Sequence, residues 1–185
     1  MDNLTHTLTG VALARMGLDK RVSGATRTLA LASNLPDLDF ASALGGTASY
    51  LDHHRGITHA FPASPLLAAG LALMLSRGSR RFVPTFLLAW LAVLVHIVSD
   101  LWTSYGTRAL LPFDATWYAW DWIFIVDPVL LVLLLLASFG ARWFRRAHVN
   151  RLAMSLVVAY IGTRAGLHLA AEAQAQTLAG SEFTL

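Results

Sequence analysis

The stretch His53-His54-Arg55-Gly56-Ile57-Thr58-His59 gathers three imidazoles and a guanidinium into seven residues, directly before a long apolar segment. A second polar group, His96-Ile97-Val98-Ser99-Asp100, closes the next apolar segment. Imidazole and carboxylate are ligands for zinc, manganese or iron. Spaced i and i+4, His96 and Asp100 project from one face of any helix that carries them and can hold one ion or bridge two. Gly56 interrupts helical spacing, so one loop turn can aim His54 and His59 at the same ion. Arg55 between them has the fork geometry that suits a phosphate or carboxylate.

Upstream, Asp37 and Asp39 flank Leu38 behind Pro36, and His6 lies near the start of the chain. Carboxylates two residues apart in extended chain point to opposite sides, so both ligate one ion only in a tight turn. Each cluster also has a plainer reading: a His–Asp pair capping a helix end, histidines anchored in a headgroup zone, carboxylates capping turns. Burying ionisable groups beside membrane segments is costly, which favours a site over these alternatives.

The surrounding chain is apolar enough for that cost to matter. Of 185 residues 56% are hydrophobic and 14% charged, against roughly 25% charged in a typical soluble domain. The class is integral membrane protein. With no cysteine, thiolate metal sites, disulfides and cysteine nucleophiles are excluded. A net charge of +3 and a pI near 9.8 do not indicate nucleic acid, because the arginines fall in short clusters between apolar segments. No basic n-region or small-residue cleavage site marks a secretory leader. Residues 1–185 read as one membrane-embedded domain, with 180–185 as a tail lacking structural logic.

The pattern predicts an all-α polytopic bundle. Thr7–Met16 and Ala25–Ser33 form a short N-terminal helical hairpin, neither arm reaching the ~20 residues that a span requires. Four stronger segments follow: Phe61–Ser76, Phe82–Trp102, Trp122–Phe139 and Leu152–Ala171, the last interrupted by Arg164 and His168. Asp127-Pro128 falls inside the third, where its carboxylate calls for a partner at the metal site or at Arg164. The loop 103–121 carries Tyr105, Arg108, Trp117 and Trp120, an aromatic density typical of a membrane interface or of the rim of a headgroup site. His148 sits in a basic turn and reads as solvated.

Charge orders these segments. Eleven of the fourteen basic residues lie in three turns: Arg15, Lys20, Arg21 and Arg27; Arg77, Arg80 and Arg81; Arg142, Arg145, Arg146 and Arg151. Of the eleven acidic residues only Asp19 joins them. The positive-inside rule puts those turns in the cytoplasm, and alternation across the bilayer then returns His6, Asp37, Asp39, His54, His59, His96 and Asp100 to one extracytoplasmic face.

The combination Thr5-His6-Thr7-Leu8-Thr9-Gly10, Leu35-Pro36-Asp37-Leu38-Asp39, His54-Arg55-Gly56-Ile57-Thr58-His59 and His96-Ile97-Val98-Ser99-Asp100 with Thr103 and Gly106 resembles the LexA-regulated, YdjM-like family of membrane-bound metal-dependent hydrolases. The likeness covers residues 5 to about 128, and that family is similar in turn to zinc-dependent phospholipases C. It implies a metal-dependent phosphoesterase in the bacterial inner membrane, with His6, Asp37, Asp39, His54, His59, His96 and Asp100 at ligand positions. Fewer histidines than in the secreted phospholipases point to two zinc ions, with manganese or iron as alternatives.

On this reading a metal-activated water cleaves a phospholipid or other lipid-linked phosphate. Asp39 or Asp100 takes the proton, and Arg55, Arg108 and Arg164 receive the phosphoryl oxygens. Many members of the resembling family continue into a C-terminal soluble region. Two other classes compete: a metal-ion or proton transporter, which predicts ligands on both faces, and a non-catalytic membrane subunit with a structural metal. The sequence leaves open the oligomeric state and the choice between phosphodiesterase and phosphatase.

Overall fold

A computed structural model describes residues 1–76, 79–146 and 148–182. Arg77 and the last three residues of the expected tail lie outside them. Helix α1 (Asn3–Leu13) starts at Asp2, whose side chain accepts from the Leu4 and Thr5 amides and so satisfies two of the four donors left open at a helix start. It continues into a turn (Ala14–Leu18) that is kinked at Gly17, whose φ of 109° is open to glycine. After a single turn, α2 (Asp19–Arg21), α3 (Ala25–Ala32) returns alongside α1, giving the expected hairpin. The two arms touch at Gly10, where a Cβ would lie 2.5 Å from Ser33 Oγ and 2.6 Å from the Leu29 carbonyl oxygen.

Pro36 then opens a 3-10 helix (Pro36–Gly45), followed by α4 (Thr47–His53), a break carrying short 3-10 turns at Ile57–His59 and Phe61–Ala63, and α5 (Ser64–Leu75). Helices α6 (Ser79–Leu101), α7 (Pro128–Trp143) and α8 (Val149–Glu182) complete the chain. No strand ladder occurs among the described residues; two isolated bridges, Thr103 to Ile123 and Thr107 to Tyr118, tie down the loop between α6 and α7.

The bundle is all-helical, with fewer spans than the four expected. Two helices are long and apolar enough to cross a membrane, over Arg81–Leu101 and Val149–Ala179. A third candidate is a bent pair, Thr47–His59 with Phe61–Leu75, broken by 63°. The segment expected from Trp122 fails because its first part is not helical: α7 has 16 residues, about 24 Å against a hydrocarbon core of about 30 Å. Asp127 is its N-cap, not an interior residue. One carboxylate oxygen accepts from the Leu130 amide at 2.9 Å, the other from the Tyr160 hydroxyl at 2.7 Å. Arg164, the partner expected for Asp127, instead donates Nε to the Trp122 carbonyl at 3.1 Å.

Two apolar cores hold the site between them. Leu29, Leu71, Leu88, Val93 and Ile97 join α3, α5 and α6; Leu8, Ile123, Leu130, Leu134 and Val157 join α1, α7 and α8. Sandwiched between α3 and α7, α1 belongs to both halves, which fixes His6 beside the end of α6.

Candidate metal centre

Four separate elements deliver the polar clusters to one point. His96 and Asp100 lie one turn apart on α6, Asp37 on the first turn of the 3-10 helix, His59 in the break before α5 and His6 on α1. His59, His96, His6 and Asp100 are all buried to within 1%. His96 Nδ1 donates to the Ser33 carbonyl at 2.7 Å, which leaves the lone pair on Nε2. His59 Nδ1 lies 3.2 Å from Asp39 Oδ2, the orienting carboxylate–imidazole contact found behind metal-bound histidines, and this likewise leaves the lone pair on Nε2.

The two Nε2 atoms face each other at 3.1 Å. Asp100 Oδ2 is 3.3 Å from each, and Asp37 Oδ1 is 3.4 Å from His59 Nε2 and 3.7 Å from His96 Nε2. Ligands about 2.0–2.1 Å from a tetrahedral zinc are separated by about 3.3–3.4 Å; the five separations above, 3.1–3.7 Å, bracket that value, and all four atoms lie within 4.8 Å of one another. Lone pairs and carboxylate oxygens aimed at one another repel unless something positive lies between them. Either a proton on one imidazole or a divalent cation shared by all four meets that need. Asp37, His59, His96 and Asp100 could therefore hold a metal ion. The carboxylate oxygens Asp37 Oδ2 and Asp100 Oδ2 are buried without a hydrogen-bond partner, an arrangement that a cation would relieve.

A family description, YdjM inner membrane protein, matches residues 1–170. The chain belongs to the YdjM family. It is also 32% identical over 174 residues to the uncharacterized protein YfhP of Bacillus subtilis (strain 168), an alignment covering 88% of this chain and 52% of that relative. The chain thus spans about half the length of the curated relative it matches. No solved structure matches it. Family membership together with the apolar helices assigns this YdjM-family chain to the inner membrane.

Around the four-atom cluster the remaining expected residues take distinct positions. His6 stacks on His96, ring centroids 3.7 Å apart, with Nε2 unpaired and 3.4 Å from Asp100 Oδ1. Burial, reinforced by the neighbouring His96, brings its pKa down to about 4, so its imidazole is neutral and open to a cation at physiological pH. The Met1 amine forms an ion pair with the same Asp100 oxygen.

Asp39 stands behind the cluster, not in it. Oδ1 meets His54 Nδ1 at 2.9 Å, and Oδ2 accepts from the Arg55 amide at 2.8 Å and the Thr58 hydroxyl at 3.0 Å besides facing His59. Burial alone would raise its pKa. The hydrogen bonds from His54 and His59 outweigh that and hold the carboxyl well below the usual range. His54, joined to Asp39 through Nδ1, stacks on Tyr50 at 4.6 Å and lines a cleft next to the cluster.

Arg55 is not the free phosphate fork that its neighbours in sequence suggest. At φ 55° it turns inward, with Nη2 3.1 Å from Asp100 Oδ1 and Nη1 donating to the Gly106 carbonyl at 3.0 Å. Its Nε remains buried without a partner. Gly106 can present that carbonyl because it sits at φ 67° with Tyr118 O 2.2 Å from where a Cβ would be.

The cleft has a volume of about 1090 Å³, and its polar floor includes Asp37, His54, Arg55, Asn3 and Tyr105. Of the three arginines expected to meet phosphate, Arg55 alone lines it. Arg108 lies over Trp117 and lines a smaller cleft behind Asp39, and Arg164 is engaged at Trp122.

Sequence reasoning missed the Ser33 carbonyl that orients His96 and the Met1 amine beside Asp100. Neither carries a side-chain signal. Thr58 and Thr103, which support Asp39 and Arg55, were visible only as parts of the family-like motifs.

Proposed function

We propose that this YdjM-family chain is a metal-dependent hydrolase acting on a phosphoester carried by a membrane lipid, by phospholipase C-like or lipid phosphatase chemistry. The observation carrying this reading is the four-atom cluster: two imidazole lone pairs and two carboxylate oxygens within 4.8 Å of one another, joined to a large cleft through Asp37, which lines it. Zinc suits this donor set, with manganese or iron as alternatives. His6 Nε2, buried and unpaired beside Asp100 Oδ1, would be a donor for a second ion only if that ion displaced the Met1 amine from the same oxygen. A divalent ion held here would supply Lewis acidity and a water activated near neutral pH.

The chain's own residues have separate tasks. Arg55 neutralises Asp100 and, as the cation lining the cleft, would offset charge on a phosphoryl group. Asp37, with one oxygen free of hydrogen bonds, takes the proton in place of Asp39, whose oxygens already meet four donors. Asp39 orients His59, and the Ser33 carbonyl orients His96. Arg81 and Asp100 lie near opposite ends of α6, about 28 Å apart along its axis. With the basic turns cytoplasmic, the cleft opens on the extracytoplasmic side.

A structural-metal reading also has an observation in its favour, since four protein donors are the set of a closed zinc site. One experiment separates the two. Purified chain is analysed for metal by mass spectrometry and assayed on bis(p-nitrophenyl) phosphate and on phospholipid, beside His96→Ala, Asp100→Asn and Arg108→Ala. Metal and hydrolysis in the wild type and Arg108→Ala, with both lost in the other two, is the expected result. Stoichiometric metal without hydrolysis favours the structural role. A wild-type chain that neither contains metal nor gains activity with added zinc or manganese overturns the proposal.

A further inference from the structure

The cleft wall that continues from Asp37 is built from the 3-10 helix and α4, and its exposed residues are largely apolar. Leu38 and Phe40 are 67% and 68% exposed, Leu51 58% and Leu44, at the tip, 94%. All four line the cleft whose floor is Asp37, His54 and Arg55. The rings of Phe40 and Tyr50 meet edge to face at 6.3 Å, tying the two arms into one unit. The other side of this unit carries charged and polar groups: Asp52 and His53 are exposed and, with Ser42, Arg108 and the apolar Ile57 and Leu111, border the smaller cleft. An exposed apolar patch backed by polar residues marks an interaction surface, and in a chain already inside a bilayer the adjoining apolar phase is lipid.

A second observation agrees. The helical stretch Thr47–His59, which begins with α4, and Phe61–Leu75, which contains α5, are together apolar enough to form a membrane segment, bent by 63° between them. Between α4 and α5 lie Arg55 and His59, and the irregular backbone there is hydrogen-bonded inside the protein, the Arg108 amide to the Arg55 carbonyl and the Phe61 amide to the Ala109 carbonyl. Irregular backbone at membrane depth survives only where protein or a cavity encloses it in this way.

We propose that residues Pro36–His53 form a lip seated in one leaflet, with Leu38, Phe40, Leu44 and Leu51 among the acyl chains and Asp52 and His53 in water. A phosphorylated lipid then reaches the metal centre sideways from that leaflet, tails against the lip and phosphate on the polar floor. This rests on the phosphoester reading for its substrate and on the exposed apolar wall for its location.

The absence of cysteine makes a single introduced thiol unique. Leu44→Cys, Phe40→Cys and Asp52→Cys, each labelled with bimane, are reconstituted in vesicles of phosphatidylethanolamine and phosphatidylglycerol, with and without bromine on the acyl chains. Bimane at 40 and 44 is expected to be quenched by brominated chains and protected from aqueous iodide, with the reverse at 52. Iodide quenching at 40 and 44 equal to that at 52, without quenching by bromine, overturns the lip. Measured alike on metal-free and metal-loaded chain, the label depth does not depend on hydrolysis, so the lip and the hydrolase fail separately.

Discussion

Replacing Asp100 with asparagine tests the centre because the change removes one charge and almost no volume. Asp100 Oδ1 lies 3.1 Å from Arg55 Nη2, and the pair is buried, with 0% and 5% of the side chains exposed. Removing one partner of a buried ion pair leaves the other charge uncompensated and costs about 3–5 kcal/mol. For a chain of this size each kcal/mol lowers Tm by about 2–4 °C, so Asp100→Asn in the metal-free state should unfold about 6–20 °C below wild type. It should also hold no zinc at any stoichiometric concentration.

The second substitution separates charge from coordination. In Asp100→Asn/Arg55→Met the stranded guanidinium is gone and its volume is roughly kept, so the part of the lost stability owed to Arg55 returns, the Met1 amine still lacking its partner, while zinc binding does not. Thermal unfolding in detergent followed by circular dichroism, beside zinc titration with a chromophoric chelator, reads both quantities. A double variant no more stable than Asp100→Asn, or a single variant that binds zinc like wild type, would refute the reasoning.

Other substitutions test the supports. Asp39→Asn should bind zinc about 10–100-fold more weakly yet still reach full stoichiometry at saturation, because loss of an orienting contact loosens His59 without removing it; isothermal titration measures both values. Metal-free, its stability deficit against wild type should be full above pH 3.8, the ordinary Asp pKa, and shrink as pH falls further, since a carboxyl depressed in the fold contributes stability that is lost as it protonates. Zinc binding near neutral pH should release about one proton, the one that reconciles His59 Nε2 with His96 Nε2 in the metal-free state, seen as a dependence of binding enthalpy on buffer ionisation. Gly10→Ala should cost about 1–3 kcal/mol as an overpacked contact and weaken zinc as well, because the Cβ would push on Leu29 and Ser33, whose carbonyl holds His96.

The convergence of the clusters was legible because it depends on topology alone. Once the basic turns are assigned to one side, the hairpin and the helix pair must bring His6, Asp37, His59 and Asp100 to the other, whatever their detailed geometry. Individual tasks were less legible. Asp37 and Asp39 looked equivalent as a pair around Leu38, and extended chain would have sent them to opposite sides. The 3-10 helix instead places Asp37 at one nitrogen of His59 and Asp39 at the other. The span over Trp122–Phe139 failed for a similar reason. Hydropathy does not register that Asp127-Pro128 is a cap, and Tyr160, 33 residues away, is the partner that makes the cap buried.

The break before α5 explains why the site can exist in so apolar a chain. A continuous helix through residues 53–64 would hydrogen-bond its own backbone and send Arg55 and His59, four residues apart, to one face. At φ 55° for Arg55 and with Gly56 next to it, the chain instead turns the guanidinium onto Asp100 while His59 reaches Asp37 and His96. The freed backbone groups find partners in the loop between α6 and α7, where Arg55 O accepts from Thr107 Oγ1 at 3.1 Å and from the Arg108 amide at 3.2 Å. That loop is in turn held by its bridges to Tyr118 and Ile123. The metal ligands and the aromatic loop are therefore one mechanical unit, and a change that unpins the loop should loosen the metal centre without touching a ligand.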